Sequence, residues 1–249
     1  MLIYHYTSLD TLSKILANRT LRFTNMDNLN DKSEYRYGVE LLKNKILEYE
    51  TNFGVRNPFD VDLLDRFMFA GELFSISFTE GSDDLYFWNS HYVPANYGVS
   101  IGFEIEEIFG PELIVNKCIY GDPYGKMGGD RYHWFRNLFL YPLAISKNLE
   151  FIHITYQTGY IKHPAISLEK EWRTITFPLK ETCVFNSVRG ECLYFDYPFN
   201  VQAIKEIVVG PSVTLHKNID RVKCLINQYK LNCTIRCSCI PEALLTVVF

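Results

Sequence analysis

The residues best placed to do chemistry lie in the segment Glu169-Lys170-Glu171-Trp172-Arg173. If this segment is a β-strand, alternate side chains point to one face, so Glu169, Glu171 and Arg173 share that face, and the row continues into the apolar positions 175 and 177. Paired carboxylates can move protons in a reaction, and an adjacent guanidinium can balance one of them. A structural ion pair is the alternative, and the residues alone leave both interpretations open.

A second candidate is Tyr4-His5-Tyr6-Thr7 near the start of the chain. On a strand His5 and Thr7 would share one face, and Tyr4 and Tyr6 the other. His5 and Thr7 could then hydrogen-bond one ligand together, for instance the diol of a ribose. A strand whose polar face is simply in contact with water is the alternative.

A third candidate combines Ser75 and Ser77 with the segment Trp88-x-x-His91-Tyr92. The two serines would lie on one face of a strand, where apolar faces rarely carry two hydroxyls. Trp88 and Tyr92 have helical i,i+4 spacing, and His91 is offset from them. Aromatic pairs at this spacing usually belong to the core, so the serines are the stronger functional signal.

Other motifs have simpler explanations or are missing. Asn30 or Asp31 can cap a following helix that carries Glu34 in its first turn, which accounts for this motif without catalysis. The sequence contains no G-x-S-x-G elbow, no Walker P-loop and no G-x-G-x-x-G fingerprint. These absences argue against the corresponding hydrolases, NTPases and Rossmann dinucleotide-binding enzymes.

The chain has seven cysteines. An odd number without a recognisable secretory signal favours reduced thiols and a cytoplasmic protein. Cys233, Cys237 and Cys239 invite a zinc site, but their spacing differs from the usual C-x-x-C pairs, so we expect no metal.

Composition restricts the remaining classes. The 249 residues carry a formal charge of −4, with 47% hydrophobic and 22% charged residues, which is typical of a globular chain. We expect no membrane span, because no apolar run reaches the required length of about 20 residues. Aromatic residues make up 15% of the chain, which predicts a large core, a pocket that stacks flat ligands, or both.

The hydrophobic patterns predict an α+β fold in one domain spanning residues 1–249, because strands follow one another without a regular βαβ alternation. Ser8 is expected to cap the first helix, and Asp83 or Asp84 a later one. Further helices are predicted at 33–49, 61–69, near 132–139 and after Ser212. Strands are predicted at 2–6, 21–23, 73–78, 97–105, 113–120, 172–177, 193–195, 206–209, 233–239 and 243–249.

Taken in order, these motifs resemble two groups of proteins. Six short segments resemble those of a large bacterial family of unknown function. They are Tyr-His-Tyr-Thr-Ser-Leu at 4–9, Leu-Asn-Asp-x-x-Glu at 29–34, Ser-Ile-Ser-Phe at 75–78, Trp-Asn-Ser-His-Tyr at 88–92, Tyr-Gly-Val-Ser-Ile-Gly-Phe at 97–103 and Glu-Lys-Glu-Trp-Arg at 169–173. The same order is similar to the ADP-ribosyltransferase superfamily, with a His on the first strand, a Ser-x-Ser motif midway and a late Glu-x-Glu. The resemblance implies a pair of packed β-sheets with surrounding helices.

The resemblance also implies roles for individual residues. Glu171 would stabilise the positive charge on the ribose of NAD, and Glu169 would orient or deprotonate the acceptor. Phe78, Tyr86 or Trp88 would stack on nicotinamide. The residues that would hold NAD are His5, Thr7, Ser75, Ser77, Phe78, Trp88 and Arg173.

NAD is accordingly the expected substrate, with no metal required. The acceptor stays open between protein, nucleic acid and a metabolite. The superfamily further implies a bacterial toxin or anti-phage effector, with an antitoxin protein as a possible partner. Two other functions compete: a non-catalytic module that binds a nucleotide or a protein, and a phosphotransferase or nuclease that acts on RNA.

Overall fold

A computed structural model describes residues 1–26, 29, 33–54, 73–90, 93, 97–124, 157–177, 183–185 and 192–245. These residues form a mixed α and β structure with one large sheet, most of whose strand pairs are antiparallel. The predicted mixture of helices and strands is confirmed. The expected pair of packed sheets takes a different form, because ten of the described strands join one branched sheet, and two short strands form another.

The strands are β1 (Leu2–Ser8), β2 (Thr20–Asn25), β3 (Phe74–Thr79), β4 (Gly98–Glu104), β5 (Asn116–Lys117), β6 (Ile119–Tyr120), β7 (Ile161–Lys162), β8 (Glu171–Thr176), β9 (Cys183–Phe185), β10 (Cys192–Pro198), β11 (Ile204–Val209) and β12 (Thr234–Cys237). The α-helices are α1 (Leu9–Asn18), α2 (Ser33–Phe53), α3 (Leu85–Trp88) and α4 (Leu215–Tyr229). Short 3-10 helices span Ile105–Glu107, Pro164–Glu169, Val201–Ala203 and Glu242–Leu244.

The large sheet branches at β3. One edge of β3 pairs along its whole length with β8. The opposite edge pairs with two different strands, because Thr79 lies opposite Tyr4 of β1 while Ser75 lies opposite Thr24 of β2. β1 continues through β4 and β11 to β12, and β2 continues through β10 to β9. The two arms therefore separate beside the middle of β3, and this separation creates the candidate site.

Helix α1 follows the sequence pattern closely. The Ser8 side chain accepts a hydrogen bond from the Thr11 backbone N–H at 3.0 Å, so the predicted N-cap is confirmed. The apolar stripe of α1 is buried in the main core, which also holds phenylalanines from four strands. These are Phe23, Phe74, Phe103 and Phe195, all with no exposed surface. Much of the aromatic surplus therefore fills the core.

Helix α3 begins where predicted, since the Asp84 side chain accepts from the Tyr86 backbone N–H, but it ends after one turn at Trp88. The predicted strand at 113–120 is two short strands, and a 3-10 helix at Glu242–Leu244 replaces the start of the strand expected at 243–249. Asn30, Asp31, His91, Tyr92 and the helices predicted at 61–69 and 132–139 lie outside the described residues.

None of the helices in the described part of the chain combines the length and hydrophobicity needed to cross a membrane.

Candidate active site

The register between β3 and β8 brings the predicted polar residues to one face of the sheet. Thr79 lies opposite Glu171, and Ser77 lies opposite Arg173. Cross-strand partners point to the same side of a sheet, and so do residues two apart on one strand. Ser75, Ser77, Glu171 and Arg173 therefore share one face, as the alternation in the sequence predicted.

Glu169 reaches this cluster by a different route from the one expected. It is not a strand residue, because it ends the 3-10 helix Pro164–Glu169, and β8 begins only at Glu171. Lys170 between them adopts a left-handed backbone with φ of 42°, which breaks the alternation that would have aligned the two carboxylates. The expected shared strand face of Glu169 and Glu171 is thus wrong.

A buried lysine joins the two carboxylates instead. Lys162 Nζ lies 2.6 Å from Glu169 Oε2 and also contacts Glu171 Oε2. Glu171 Oε1 accepts a hydrogen bond from Arg173 Nε at 2.7 Å. Only 1% of Lys162, 4% of Glu171 and 2% of Arg173 is exposed, so these ion pairs are buried. Two cations and two carboxylates form a compact cluster.

The neighbouring cations determine the charge of Glu171. Burial raises the pKa of the Glu171 carboxyl, but Arg173 and Lys162 lower it by their charge, and hydrogen bonds from Lys162 and Ser77 lower it further. The net effect is a pKa below the ordinary value of 4.5. Glu171 is therefore a carboxylate at neutral pH.

Sequence reasoning missed Lys162. It lies on β7, a strand of two residues, and no spacing in the surrounding Tyr160-Ile161-Lys162-His163 segment points to a site. Lysines are almost never fully buried unless they are paired, and the partners here become visible only in the fold. The sequence offers no signal that could have identified this residue.

His5 occupies the gap where β1 leaves β3. Its Nδ1 donates to the Ser77 carbonyl oxygen at 3.0 Å, because a carbonyl can only accept. The neutral ring then presents Nε2 as an acceptor. Desolvation lowers the pKa of His5 below 6.5 and outweighs the opposing effect of the Ser77 carbonyl. The side chain of His5 thus bridges two strands whose backbones have separated.

A cavity of about 380 Å³ opens beside these residues. Its volume falls in the range typical of small-molecule sites. The walls come from β1, β2, β3 and β8, with single residues from α3, β7 and the 3-10 helix that precedes β8. The lining residues are Tyr4, His5, Tyr6, Arg22, Thr24, Leu29, Ser75, Ile76, Ser77, Phe78, Thr79, Phe87, Lys162, Glu169, Glu171 and Arg173.

The cavity thus brings together most of the predicted residues: His5, Ser75, Ser77, Phe78, Glu169, Glu171 and Arg173. Two predicted ligand-binding residues, Thr7 and Trp88, are not among its lining residues. Trp88 is buried, and its Nε1 donates to Asp83 at 2.7 Å. Its neighbour Phe87 does line the cavity and stacks on Tyr6, with ring centroids 4.8 Å apart.

Two further polar groups are relevant to ligand binding. The buried Ser75 Oγ has no hydrogen-bond partner among the described residues, and buried polar groups normally have one. At the rim, the Tyr86 hydroxyl donates to Glu169 Oε1 at 3.2 Å. Within the described ranges no group of three or more His, Cys, Asp or Glu side chains is arranged to hold a metal ion.

Comparison with known proteins gives limited similarity. No family model matches the sequence, and no curated protein matches it. Among solved structures, Thermus sp. 2.9 DarT in complex with ADP-ribosylated ssDNA is 12% identical, with a TM-score of 0.35, and the match covers 98% of this chain and 96% of that chain. Thermus sp. 2.9 DarT in complex with carba-NAD+ is 11% identical, with a TM-score of 0.33 and coverage of 98% and 97%.

Proposed function

We propose that the protein binds NAD in this cavity and transfers its ADP-ribose group to an acceptor. The observation that carries the proposal is Glu171, a buried carboxylate held in its ionised form at the wall of a cavity of ligand size. A carboxylate fixed at the wall of a cavity is suited to a reaction whose transition state gains positive charge.

The reaction breaks the bond between nicotinamide and the ribose C1. The bonding electron pair leaves with nicotinamide, which departs as a neutral molecule, and the ribose becomes an oxocarbenium-like cation. Arg173, Lys162 and Ser77 occupy part of the Glu171 carboxylate. A carboxylate has about four acceptor positions, so Glu171 can still accept a ribose hydroxyl and stabilise the cation.

The acceptor atom then forms a bond to C1 and loses a proton. Glu169 is the candidate base, because it borders the cavity and is more exposed than Glu171. With water as acceptor the products are ADP-ribose and nicotinamide. No metal takes part in these steps.

The remaining lining residues supply binding groups. His5 and Ser75 line the cavity, and we assign His5 Nε2 and the Ser75 Oγ, which has no partner among the described residues, to polar groups of the substrate. Phe87 and Tyr6 offer a stacked pair of rings at the wall, which makes Phe87 a better candidate than Trp88 for contact with a flat ring. Lys162 acts through Glu171 and Glu169, and we regard it as a positioning residue.

The test measures NAD binding and nicotinamide release for the wild type, Glu171→Gln and a matched control. Glu80→Gln serves as control, because Glu80 also pairs with a lysine, Lys117, but does not line the cavity. Reactions include protein, single-stranded DNA, RNA or water as acceptor. We expect Glu171→Gln to bind NAD and to lose about a hundredfold or more in turnover, while Glu80→Gln retains activity.

One observation favours a second candidate, a non-catalytic nucleotide-binding module. Both oxygens of Glu171 already have protein partners, as in a purely structural ion pair. This alternative predicts NAD binding without turnover in the presence of every acceptor. A wild-type protein that neither binds nor consumes NAD would contradict both candidates.

A further inference from the structure

A second feature of the cavity is the guanidinium of Arg22 on β2, which lies on the same face of the sheet as Glu171. Thr24 lies opposite Ser75, so β2 positions 22 and 24 face the same side as Ser75 and Glu171. Arg22 lines the cavity together with Thr24 and Ser75. It is not used by the chemistry described above.

Arg22 is held in a fixed orientation although about half of its side chain, 54%, is exposed. Its Nε and NH2 groups donate to the two oxygens of Asp196 at 2.9 and 3.1 Å. Its guanidinium carbon also lies 3.6 Å from the centroid of the Tyr194 ring, in a stacked arrangement. Asp196 and Tyr194 are both on β10, which pairs with β2 in register.

Two parallel hydrogen bonds to one carboxylate and the contact with the Tyr194 ring restrain the guanidinium of Arg22. Ordering an arginine side chain has an entropic cost, which these contacts offset before any ligand binds. The arrangement therefore presents a preorganised flat cation at the cavity wall. Preorganisation of this kind favours ligand binding.

The geometry also indicates which ligand class fits. Asp196 balances the charge of Arg22 and raises its pKa through hydrogen bonds, and two of its donor groups are already used. Because Asp196 already balances the charge, the planar surface of the guanidinium opposite the Tyr194 ring is the feature that we assign to ligand recognition. Guanidinium planes stack on nucleobases.

We propose that the Arg22–Tyr194 pair forms a subsite that stacks a nucleobase. The base has two possible sources, the adenine of the dinucleotide or a base of a nucleic-acid acceptor. The first source rests on the proposed function, whereas binding of AMP or of an oligonucleotide can be measured whether or not NAD is consumed.

The test compares the affinities of wild type, Arg22→Lys and Arg22→Ala for AMP, NAD, nicotinamide mononucleotide and a short single-stranded DNA. Arg22→Lys keeps the charge beside Asp196 and loses the planar group. Arg221→Lys is the matched control, since Arg221 is an exposed arginine paired with Asp10 and does not line the cavity. Thermal unfolding of each variant shows that the fold is retained.

We expect both Arg22 substitutions to weaken binding by about tenfold. Weaker AMP and NAD binding with unchanged nicotinamide mononucleotide binding identifies adenine as the base, and weaker binding of the oligonucleotide alone identifies an acceptor base. The proposal would be overturned if folded Arg22→Lys and Arg22→Ala bound AMP, NAD and DNA as tightly as the wild type does. It would also be overturned if the wild type bound none of the three. If AMP or DNA binding depends on Arg22 but NAD is not consumed, the result supports this subsite and contradicts the proposed transferase activity.

Discussion

His5 Nδ1 lies 3.0 Å from the carbonyl oxygen of Ser77, so a side chain of β1 makes the bond that the backbone of β1 no longer reaches. The pairings of Thr79 with β1 and of Ser75 with β2 lie on either side of this contact. His5 thereby supports the edge of β3 at the point where the sheet opens.

This contact predicts a specific loss of stability. His5→Ala leaves the Ser77 carbonyl without its protein partner, and we expect the free energy of unfolding to fall by about 1–2 kcal/mol. His5→Asn keeps an N–H donor at a similar distance and should lose less. Denaturant unfolding measures both. Equal stability of His5→Ala and wild type would show that the hydrogen bond contributes nothing.

The lowered pKa of His5 predicts a pH dependence of stability. The folded protein keeps His5 neutral, whereas the unfolded chain protonates it as the pH falls through 6.5. Because the unfolded state binds more protons in that window, the contribution of His5 is complete above pH 6.5 and declines below it. Unfolding measured between pH 7.5 and pH 5 should therefore show a smaller decline in His5→Asn. An identical decline would assign it to other groups.

Lys162 should control the pH range of activity under the proposed mechanism. Lys162→Met removes one of the cations facing Glu171 and leaves Arg173, Ser77 and Glu169 in place. Because Lys162 no longer lowers the pKa of Glu171, that pKa rises, and the acid limb of the pH–rate profile should move up by about one unit or more. Lys162→Arg restores a positive charge and should shift the limb less. A rate lowered equally at every pH would contradict this role.

Trp88 should matter for stability rather than for ligand binding. It is 3% exposed, and a side chain added at Gly210 would come within 3.0 Å of its ring and of the Gly98 carbonyl. Trp88→Leu is expected to cost about 3 kcal/mol or more of unfolding free energy, with NAD affinity unchanged in the folded fraction. A selective loss of NAD affinity at full stability would instead support the stacking role predicted from the sequence.

The proposed chemistry also makes a prediction for cells that express the protein. Expression of the wild type in bacteria should inhibit growth, because consumption of NAD or modification of an essential acceptor harms the cell. Glu171→Gln should relieve the inhibition, and Glu80→Gln should not. Growth curves at matched expression levels measure the effect. Equal inhibition by wild type and Glu171→Gln would remove catalysis as its cause.

Local features of the fold could be predicted from the sequence because each depends on residues close in the chain. Ser8 and Asp84 cap helices through bonds to residues two or three positions away. The shared face of Glu171 and Arg173 follows from strand alternation within one segment. The roles proposed for these residues, and the single domain, stay predictions.

The remainder depends on backbone conformation and on side-chain contacts that no spacing in the sequence indicates. The alignment of Glu169 failed because one left-handed residue, Lys170, separates it from the strand. Lys162 was not predicted, because its partners Glu169 and Glu171 lie at the end of a 3-10 helix and at the start of β8. Trp88 was assigned to a ligand because the sequence cannot show that Asp83, Gly98 and Gly210 enclose it.

The branching of the sheet at β3 has a consequence for biosynthesis. The cavity needs β1 from the start of the chain and β8 near residue 171, and β3 lies between their backbones. A ribosome adds about 5–20 residues per second, so roughly ten to thirty seconds separate the emergence of His5 from that of Glu171. A nascent chain therefore cannot assemble the cavity until β8 has left the ribosome, so the site forms well after β1 has been made.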